Sequence, residues 1–343
     1  MKSLQLFEWI RDAKRVACQD VSNYAAHVVN KTYETYKAYE HKFGNGRYVG
    51  IPFDASNVTK GVRVSYVVDD TTVDCEVIEV QDGEKVDSRR LGKLLRRLNM
   101  MVVVLNRLRG VEMSPKRIEI ILVLNPQEKR APLRRHKHYC ARHVNNGLTS
   151  FRDGASEYIY IYRSEDIYKV MLHELIHFYG LDFDTPLALD GEAFCVRDLS
   201  GKIDLNEAYT ETLACYLWIA MHVYIEYTPI DADTFSSLLM KQVRKSRAFF
   251  CKTVASILSH SGTTLRRGPV CERYLTQDTH VFSYFVCKTA LFFRLPQFLR
   301  LVKENLDAEK FIELVDEALN DIQFAKAVSA VVSPTLSMRM IDV

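Results

Sequence analysis

The spacing of apolar residues changes near residue 164, and this change limits the folds that the chain can adopt. Before it, several segments alternate apolar and polar side chains, as half-buried strands do. After it, apolar residues recur at helical spacing. Helices are predicted at 166–179, 205–227, 233–260, 280–304 and 308–333. We therefore predict an α+β protein with a mixed α/β first half and a mainly helical second half.

The first half contains both helical and alternating patterns. Apolar spacing over residues 3–42 predicts two helices, and alternation from 47 to 80, with an Asp-Asp-Thr-Thr link, predicts a hairpin. Asp87 or Ser88 is expected to cap a long helix that ends near Gly110. Two further strands are predicted at 117–125 and 157–162.

Length and composition indicate a folded protein. The 343 residues are 48% hydrophobic, enough for one large domain or two ordinary ones. We predict three regions: N-terminal helices and hairpin at 1–86, a central core at 87–227 and a helical subdomain at 228–343. A net charge of +3 is too small to indicate general affinity for nucleic acid or membranes.

We expect neither a secretory signal nor a membrane span in this chain. Charge at Glu8, Arg11 and Asp12 interrupts the N-terminal segment, and the apolar run at 100–105 is far shorter than the roughly 20 residues that cross a bilayer. Eight cysteines are spread along the chain without close pairs. We expect a soluble intracellular protein in which most cysteines are buried, reduced thiols.

The segment "MLHELIHFYG", residues 171–180, carries a possible metal site. On a helix, the i, i+4 spacing puts His173 and His177 on one face, where both rings can reach one zinc ion. Glu174 would lie beside a metal-bound water. Ser164 is expected to cap this helix and Gly180 to end it. The alternative is that two histidines and a glutamate share an amphipathic helix by chance.

The next predicted helix offers a third ligand. A catalytic zinc ion needs three protein ligands and an open position for water. Asp204 can cap the helix at 205–227, and Glu207 and Glu211 are again i, i+4. One carboxylate would bind the metal while the other accepts the N–H of a ligating histidine.

"HELIH" and "NEAYTE" together resemble the gluzincin metallopeptidases, the thermolysin-like clan, in which HExxH is followed by NExxS/T-D/E. The resemblance covers roughly residues 88–227 and implies a zincin-like core, bound Zn²⁺ and a peptide or protein substrate. It makes Glu207 the third ligand, Glu211 the partner of His173, and Asn206 a residue that orients His177. The chain is also similar to uncharacterised metallopeptidases of large DNA viruses, a likeness carried by no particular residue.

Two features depart from this pattern. The 29 residues between His177 and Glu207 exceed the usual gluzincin spacing and imply an inserted loop. The rival metzincin pattern, HExxHxxGxxH, fits at Gly180 but has Phe183 in place of its last histidine. Asp182 and Asp184 flank that position and remain alternative ligands.

The resemblance also implies how a peptide would be cleaved. Glu174 would act as general base, and His280 and Tyr284 are candidates to stabilise the oxyanion. A His and a Tyr packed on a helix surface are the alternative for that pair. The segment "NNGLTSF" at 145–151 would be the sheet edge that binds the peptide.

Two basic segments admit other functions. Arg89, Arg90, Lys93, Arg96 and Arg97 form one face of the long helix, which we interpret mainly as a solvated face. The basic loop at 129–143 contains His136, His138, Cys140 and His143, either as an exposed loop or as a second metal site. The alternatives to a peptidase are therefore a catalytically inactive zincin-fold binding protein and a nucleic-acid-associated protein that uses these two segments.

Overall fold

The computed structural model describes most of the chain and has an α+β fold with a mixed sheet and a helical C-terminal half. It describes residues 3–20, 26–28, 37, 39, 43, 51, 53–132, 138–152, 155–198, 202–263, 274–304, 306–331, 338–339 and 341. The predicted fold class is therefore confirmed, whereas the three-region division at 1–86, 87–227 and 228–343 stays a prediction.

The chain forms two compact units. The first, here called the sheet unit, consists of Ser3–Glu128 and Asn145–Leu181. The second, here called the helical unit, consists of Lys129–Val144 and Asp182–Val343, together with Met1–Lys2.

The described helices and strands are numbered in chain order. The helices are α1 (Ser3–Asp20), α2 (Ser88–Arg109), α3 (Ala141–Val144), α4 (Ile167–Phe178), α5 (Leu205–Tyr227), α6 (Ala232–Ser261), α7 (Lys288–Phe293), α8 (Leu295–Lys303), α9 (Ala308–Leu319) and α10 (Ile322–Ser329). The strands are β1 (Ala26–Val28), β2 (Val58–Val68), β3 (Thr71–Val80), β4 (Arg117–Val123), β5 (Gly147–Arg152), β6 (Ala155–Ile161), β7 (Ala188–Asp190), β8 (Val196–Asp198), β9 (Lys202–Asp204) and β10 (Leu275–Gln277).

The sheet unit is built on a mixed sheet whose described strands lie in the order β1-β2-β3-β4-β6-β5. The predicted hairpin is β2–β3, and its two-residue turn places Asp69 and Asp70 at φ 48° and 66°. Positive φ at both central residues is typical of the turn that matches strand twist. Strands β3, β4 and β6 run parallel, and β5 pairs antiparallel with β6 at the edge. The sheet therefore ends on the segment predicted to bind peptide.

The ends of α2 and the end of α4 follow the local signals in the sequence. The Asp87 carboxylate accepts a hydrogen bond from the backbone N–H of Arg90 at 2.7 Å, and α2 stops before Gly110 at φ 91°. Gly180, at φ 55°, follows α4 and donates its N–H to the backbone oxygen of His177. Glycine reaches this left-handed region without steric cost.

The predicted cap of α4 is wrong. The Ser164 hydroxyl donates to the backbone oxygen of Asn125 at 3.2 Å, and the residue that precedes the helix is Asp166, in a left-handed conformation without a side-chain cap. The hydroxyl thus bonds to the segment that follows β4 instead of to the first turn of the helix.

The second predicted N-terminal helix is incorrect at residues 26–28, whereas residues 37 and 39, also within the predicted segment, are helical. Residues Ala26–Val28 pair antiparallel with Val62–Val64 as strand β1. Backbone hydrogen bonds to the sheet replace helical ones there, and sheet pairing overrides a short helical apolar pattern. Most of the remaining predicted segment, and much of the strand predicted near 47–53, lie outside the described residues.

Two long helices predicted in the second half are divided. The segment predicted at 280–304 forms a π-helix, Phe282–Cys287, followed by α7 and then by α8, which has Pro296 in its first turn. Proline lacks an N–H and fits a helix start better than a helix interior. The segment predicted at 308–333 divides at Asn320, and Asp321 caps α10 by accepting from the N–H of Gln323 at 2.7 Å.

Other predicted features concern cysteines and membrane spans. Among the residues that the structure describes, five cysteines are free. Four of them, Cys75, Cys215, Cys251 and Cys287, are buried, in agreement with the expectation of buried thiols, whereas Cys195 is disulfide-bonded. Burial raises the pKa of the Cys251 thiol to about 11. Among the helices that the structure describes, none has both the length and the apolarity needed to span a bilayer.

Candidate metal centre

Helix α4 brings its two histidines together in the sheet unit. The Nε2 atoms of His173 and His177 lie 3.3 Å apart, and the two rings are nearly perpendicular at 72°. Two ligands bound tetrahedrally to zinc at roughly 2.0–2.1 Å are separated by about 3.3 Å. The histidine pair therefore fits two positions around a zinc ion.

Helix α4 is buried around most of its circumference. Ten of its 12 residues are buried, His173 and Glu174 among them, and the helix packs against β5 and β6. The i, i+4 spacing places the two histidine rings on one side of this helix. The motif therefore lies on a helix that is fixed by the core.

Glu174 is held by the edge strand β5. The Thr149 hydroxyl lies 2.9 Å from Oε2 of Glu174 and 2.9 Å from the backbone oxygen of Glu174, so its single proton has two acceptors. A methyl group on Gly147 would lie 3.1 Å from Oε1 of Glu174. Residues 147 and 149 face the same side of the strand, as its two-residue period requires. The carboxylate is thus seated between a hydroxyl donor and a residue without a side chain.

Glu207 belongs to the first turn of α5, in the helical unit. Asp204 caps this helix, and its Oδ1 accepts from the N–H of Glu207 at 3.2 Å. The described residues contain one group with metal-ligand spacing: one atom each of His173, His177 and Glu207, all within 4.8 Å of one another. Asp182 and Asp184, the alternative ligands, are not part of that group.

The cap of α5 carries an electrostatic perturbation. Burial raises the pKa of Asp204, and the negative charge of Glu207 raises it further. His280 acts in the opposite direction and lowers the pKa of Asp204.

Asn206 holds the long loop that follows α4. Its amide nitrogen donates to the backbone oxygen of Phe183 at 2.9 Å, and its amide oxygen accepts from the N–H of Leu187 at 3.0 Å. Phe183 in turn stacks on Phe311 and packs edge-on against Tyr209. The long loop is therefore ordered at its start, while the predicted role of Asn206 in orienting His177 stays a prediction.

Glu211, one turn after Glu207, forms an ion pair that the sequence did not reveal. Its Oε1 lies 3.3 Å from Nζ of Lys288, and the side chains are 0% and 1% exposed. The available signal was a lysine within the apolar segment "FSYFVCKTALFF", residues 282–293. A charged residue in such a segment requires a partner when it is buried.

His280 and Tyr284 lie in one segment of the helical unit, next to each other. Their ring centroids are 6.0 Å apart at 85°, and Tyr284 is buried. Tyr284 belongs to the π-helix, a geometry that is frequent at functional sites. Their predicted role as oxyanion donors stays a prediction.

The two basic segments are partly engaged in the fold. On α2, Arg90 pairs with Glu84, and the Arg97 guanidinium lies 5.8 Å from the centre of the Tyr168 ring, while Arg89, Lys93 and Arg96 are exposed. In the basic loop, His138 pairs with Asp278 at 2.6 Å, and the Cys140 thiol lies 3.4 Å from Nδ1 of His143. His136 lies outside the described residues. The described residues of this loop do not form a second metal-ligand group.

Comparison with known proteins adds one distant relative. No family model matches the chain, and no solved structure matches it. An uncharacterized protein of Acanthamoeba polyphaga mimivirus is 22% identical over 204 residues. The alignment covers 57% of this chain and 51% of the viral protein, so the chain spans about half the length of that relative. The chain is thus similar to a protein of a large DNA virus, in agreement with the viral likeness noted from the sequence.

Proposed function

We propose that the protein is a zinc-dependent metallopeptidase of the gluzincin type, with His173, His177 and Glu207 as zinc ligands. The observation that carries the proposal is the 3.3 Å separation of the two histidine Nε2 atoms, which equals the spacing of two tetrahedral zinc ligands. The proximity of Glu207 supports a third ligand. Two imidazoles and one carboxylate are a usual ligand set of catalytic zinc.

Glu174 is the general base in this proposal. When bound, zinc supplies a Lewis acid that polarises a carbonyl and lowers the pKa of a coordinated water. Glu174 takes a proton from the attacking water and returns it to the nitrogen of the leaving amine. Thr149 holds Oε2, so we assign the proton to Oε1, the oxygen beside Gly147.

The edge strand β5 is the proposed peptide-binding element. Among the described strands, β5 pairs with β6 along one of its two edges. The other edge can therefore pair with an extended peptide. Phe151 on this strand is 56% exposed and offers an apolar contact. Because Thr149 lies on the same strand, the peptide and the general base would be positioned by one element.

His280 and Tyr284 remain the proposed donors to the oxyanion. Tyr284→Phe would remove a donor while keeping the ring, and should lower kcat with little change in bound zinc. Loss of a single oxyanion donor elsewhere costs roughly 10²–10³ in kcat.

Zinc content tests the ligand set. Purified wild-type protein should contain one zinc ion per chain by mass spectrometry of the metal, and Glu207→Ala should lose most of it. Asp184→Ala is the matched control, because it removes an exposed carboxylate of the alternative ligand pair. Full zinc occupancy in Glu207→Ala, together with loss of zinc in Asp184→Ala, would show that Asp184 is the third ligand instead of Glu207.

Cleavage of a peptide mixture tests the reaction. Wild-type protein incubated with a proteome-derived peptide library should generate new termini, detected by mass spectrometry, and Glu174→Gln should bind zinc without cleaving. Zinc binding without cleavage by the wild type would favour the alternative of a catalytically inactive zincin-fold protein. Cleavage that persists in Glu174→Gln would remove Glu174 from the mechanism.

A further inference from the structure

The sheet unit contains a cavity of about 540 Å³ on the face of the sheet opposite α4, and its described lining residues all belong to this unit. Thr149, whose hydroxyl contacts Glu174, pairs with Ile159. The preceding residue, Leu148, pairs with Tyr160, which lines the cavity. Because side chains alternate between faces along a strand, Tyr160 and Glu174 lie on opposite faces of the sheet. The cavity is therefore separate from the histidine motif.

The cavity lies at the carboxyl ends of three neighbouring parallel strands. Among its lining residues, Val80 ends β3, Val123 ends β4 and Tyr162 follows β6. In open α/β sheets, ligands bind in the crevice outside the carboxyl ends of the strands. Small-molecule pockets have volumes of about 300–1,000 Å³ and combine apolar walls with a few polar groups. The position and the volume of the cavity are thus those of a small-molecule site.

Tyr160 brings a buried hydroxyl to this cavity. The residue is 0% exposed, and its hydroxyl has no hydrogen-bond partner among the residues that the structure describes. Its ring stacks on Phe43, with ring centroids 3.9 Å apart and an angle of 8° between the planes, so the ring is fixed. Burial raises the pKa of Tyr160, so the hydroxyl keeps its proton and can donate as well as accept. Since buried polar groups are nearly always hydrogen-bonded, this hydroxyl indicates a further partner.

The other lining side chains combine aromatic rings with amides. Phe53 and Tyr162 supply two more rings, and Gln81, Asn125 and Gln127 each offer donors and an acceptor. Planar aromatic molecules pack favourably against such rings. Side-chain amides form paired hydrogen bonds with the edges of nitrogen heterocycles, as they do with adenine. The lining therefore suits a planar heteroaromatic molecule with polar groups on its edge.

The charge of the cavity favours an uncharged ligand. Asp54 is the charged residue among the described lining residues. Its carboxylate accepts from the backbone N–H of Ser56 at 2.9 Å and from the side-chain amide of Asn57 at 2.7 Å, which stabilises its negative form. A phosphate or carboxylate on the ligand would be repelled by this charge.

We propose that this cavity binds an uncharged, planar heteroaromatic molecule with the chemistry of a nucleoside. The Tyr160 hydroxyl bonds to a polar atom of the inserted base, Phe53 and Tyr162 contact the ring, and the amides of Gln81, Asn125 and Gln127 bond to its outer edge. The site is independent of zinc and of peptide cleavage, so removal of metal by a chelator should leave its affinity unchanged.

Isothermal titration calorimetry of the full chain tests the ligand class. The probes are adenosine, guanosine, cytidine and uridine, each compared with its 5′-monophosphate. At least one nucleoside should bind, and its monophosphate should bind about 3–10-fold more weakly because of repulsion by Asp54. Binding by none of the four nucleosides overturns the proposal. Equal or tighter binding of the monophosphate overturns the preference for an uncharged ligand.

Two tyrosine variants test the buried hydroxyl. Tyr160→Phe keeps the ring and should weaken binding of that nucleoside about 2–10-fold, the effect of one neutral hydrogen bond. It should also raise the thermal unfolding midpoint of the ligand-free protein, because it removes a buried hydroxyl without a partner. Tyr158→Phe is the matched control on the same strand and the same face, outside the cavity lining, and should leave nucleoside affinity unchanged.

A variant at the exposed Gln127 completes the test. Gln127→Ala removes one amide of the lining and should weaken nucleoside binding by a similar factor without changing the unfolding midpoint. Wild-type affinity in both Tyr160→Phe and Gln127→Ala would place the nucleoside elsewhere and overturn the site. A lower unfolding midpoint in Tyr160→Phe would show that the hydroxyl already has a partner in the ligand-free protein, and would overturn its role in binding.

Discussion

Glu174 in the sheet unit and Glu211 in the helical unit are both buried, but they are held in different ways. Glu174 accepts from the neutral hydroxyl of Thr149, whereas Glu211 faces the ammonium group of Lys288. A neutral hydroxyl donor changes the equilibrium between the carboxylic acid and the carboxylate only slightly. An adjacent cation strongly favours the carboxylate. The comparison teaches that the hydroxyl contact of Glu174 suits a group that gains and loses a proton. The lysine contact of Glu211 suits a carboxylate that stays ionised and only accepts hydrogen bonds.

The largest expected effect comes from removing Lys288, the charged partner of Glu211. Lys288→Met should lower the free energy of unfolding of the zinc-free protein by about 3–5 kcal/mol, because it leaves a buried carboxylate without its partner. Urea denaturation followed by circular dichroism measures this change. Recovery of stability in Glu211→Gln/Lys288→Met would identify the unpaired charge as the cause, whereas continued instability would point to lost packing.

Removing the Thr149 hydroxyl from Glu174 should affect catalysis more than folding. Thr149→Val removes the hydroxyl from Glu174 at nearly constant volume and should raise the activation barrier by about 1.5–3 kcal/mol, the range for a hydrogen bond to a charged group. This corresponds to roughly a 10–150-fold loss in kcat/KM with zinc content unchanged. Thr149→Ser should restore most of the activity in the peptide-library assay. Equal activity of the valine variant would show that Thr149 does not position the base.

Filling the space beside Glu174 should have a smaller effect. Gly147→Ala places a methyl group 3.1 Å from Oε1 of Glu174, a contact tight enough to displace the carboxylate slightly. We expect a loss of kcat of about tenfold, below the ~10²-fold that a 1 Å misplacement can cost. Steady-state kinetics on one cleaved peptide measures it. Unchanged kcat would show that Oε1 tolerates a neighbour and does not need the glycine.

The smallest effect is expected from a matched exposed lysine. Lys310 pairs with Asp307 at 3.2 Å, and its side chain is 68% exposed. Lys310→Met should leave the unfolding transition unchanged, because exposed ion pairs contribute little and are screened by salt. Urea denaturation at low and at high salt provides the comparison. A destabilisation as large as that of Lys288→Met would show that burial is not what separates the two lysines.

Local signals account for the parts of the fold and of the site that the sequence predicted. The i, i+4 spacing places His173 and His177 on one face wherever a helix forms, and Asp87 and Asp204 cap helices through contacts three residues away. The two aspartates at the β2–β3 turn likewise act within the hairpin itself. Such features depend on near neighbours, so the chain encodes them directly.

Contacts between distant segments account for the errors and omissions. Ser164 bonds to a residue 39 positions away instead of capping α4, and Ala26–Val28 joins the sheet by pairing with Val62–Val64. These alternatives compete with local preferences and succeed only once the sheet has formed. The sequence pattern could not indicate them, because it contains no record of which segments meet.

By itself the sequence determined the α+β class, the orientation of the two histidines on one helix and the candidates for the zinc ligands, since each follows from periodicity and short spacing. Tertiary structure alone decided how the carboxylates are held: Thr149 meets Glu174 across 25 residues, and Lys288 meets Glu211 across 77. The physical reason is that a buried polar group must find its partner within the folded core, whichever part of the chain supplies it.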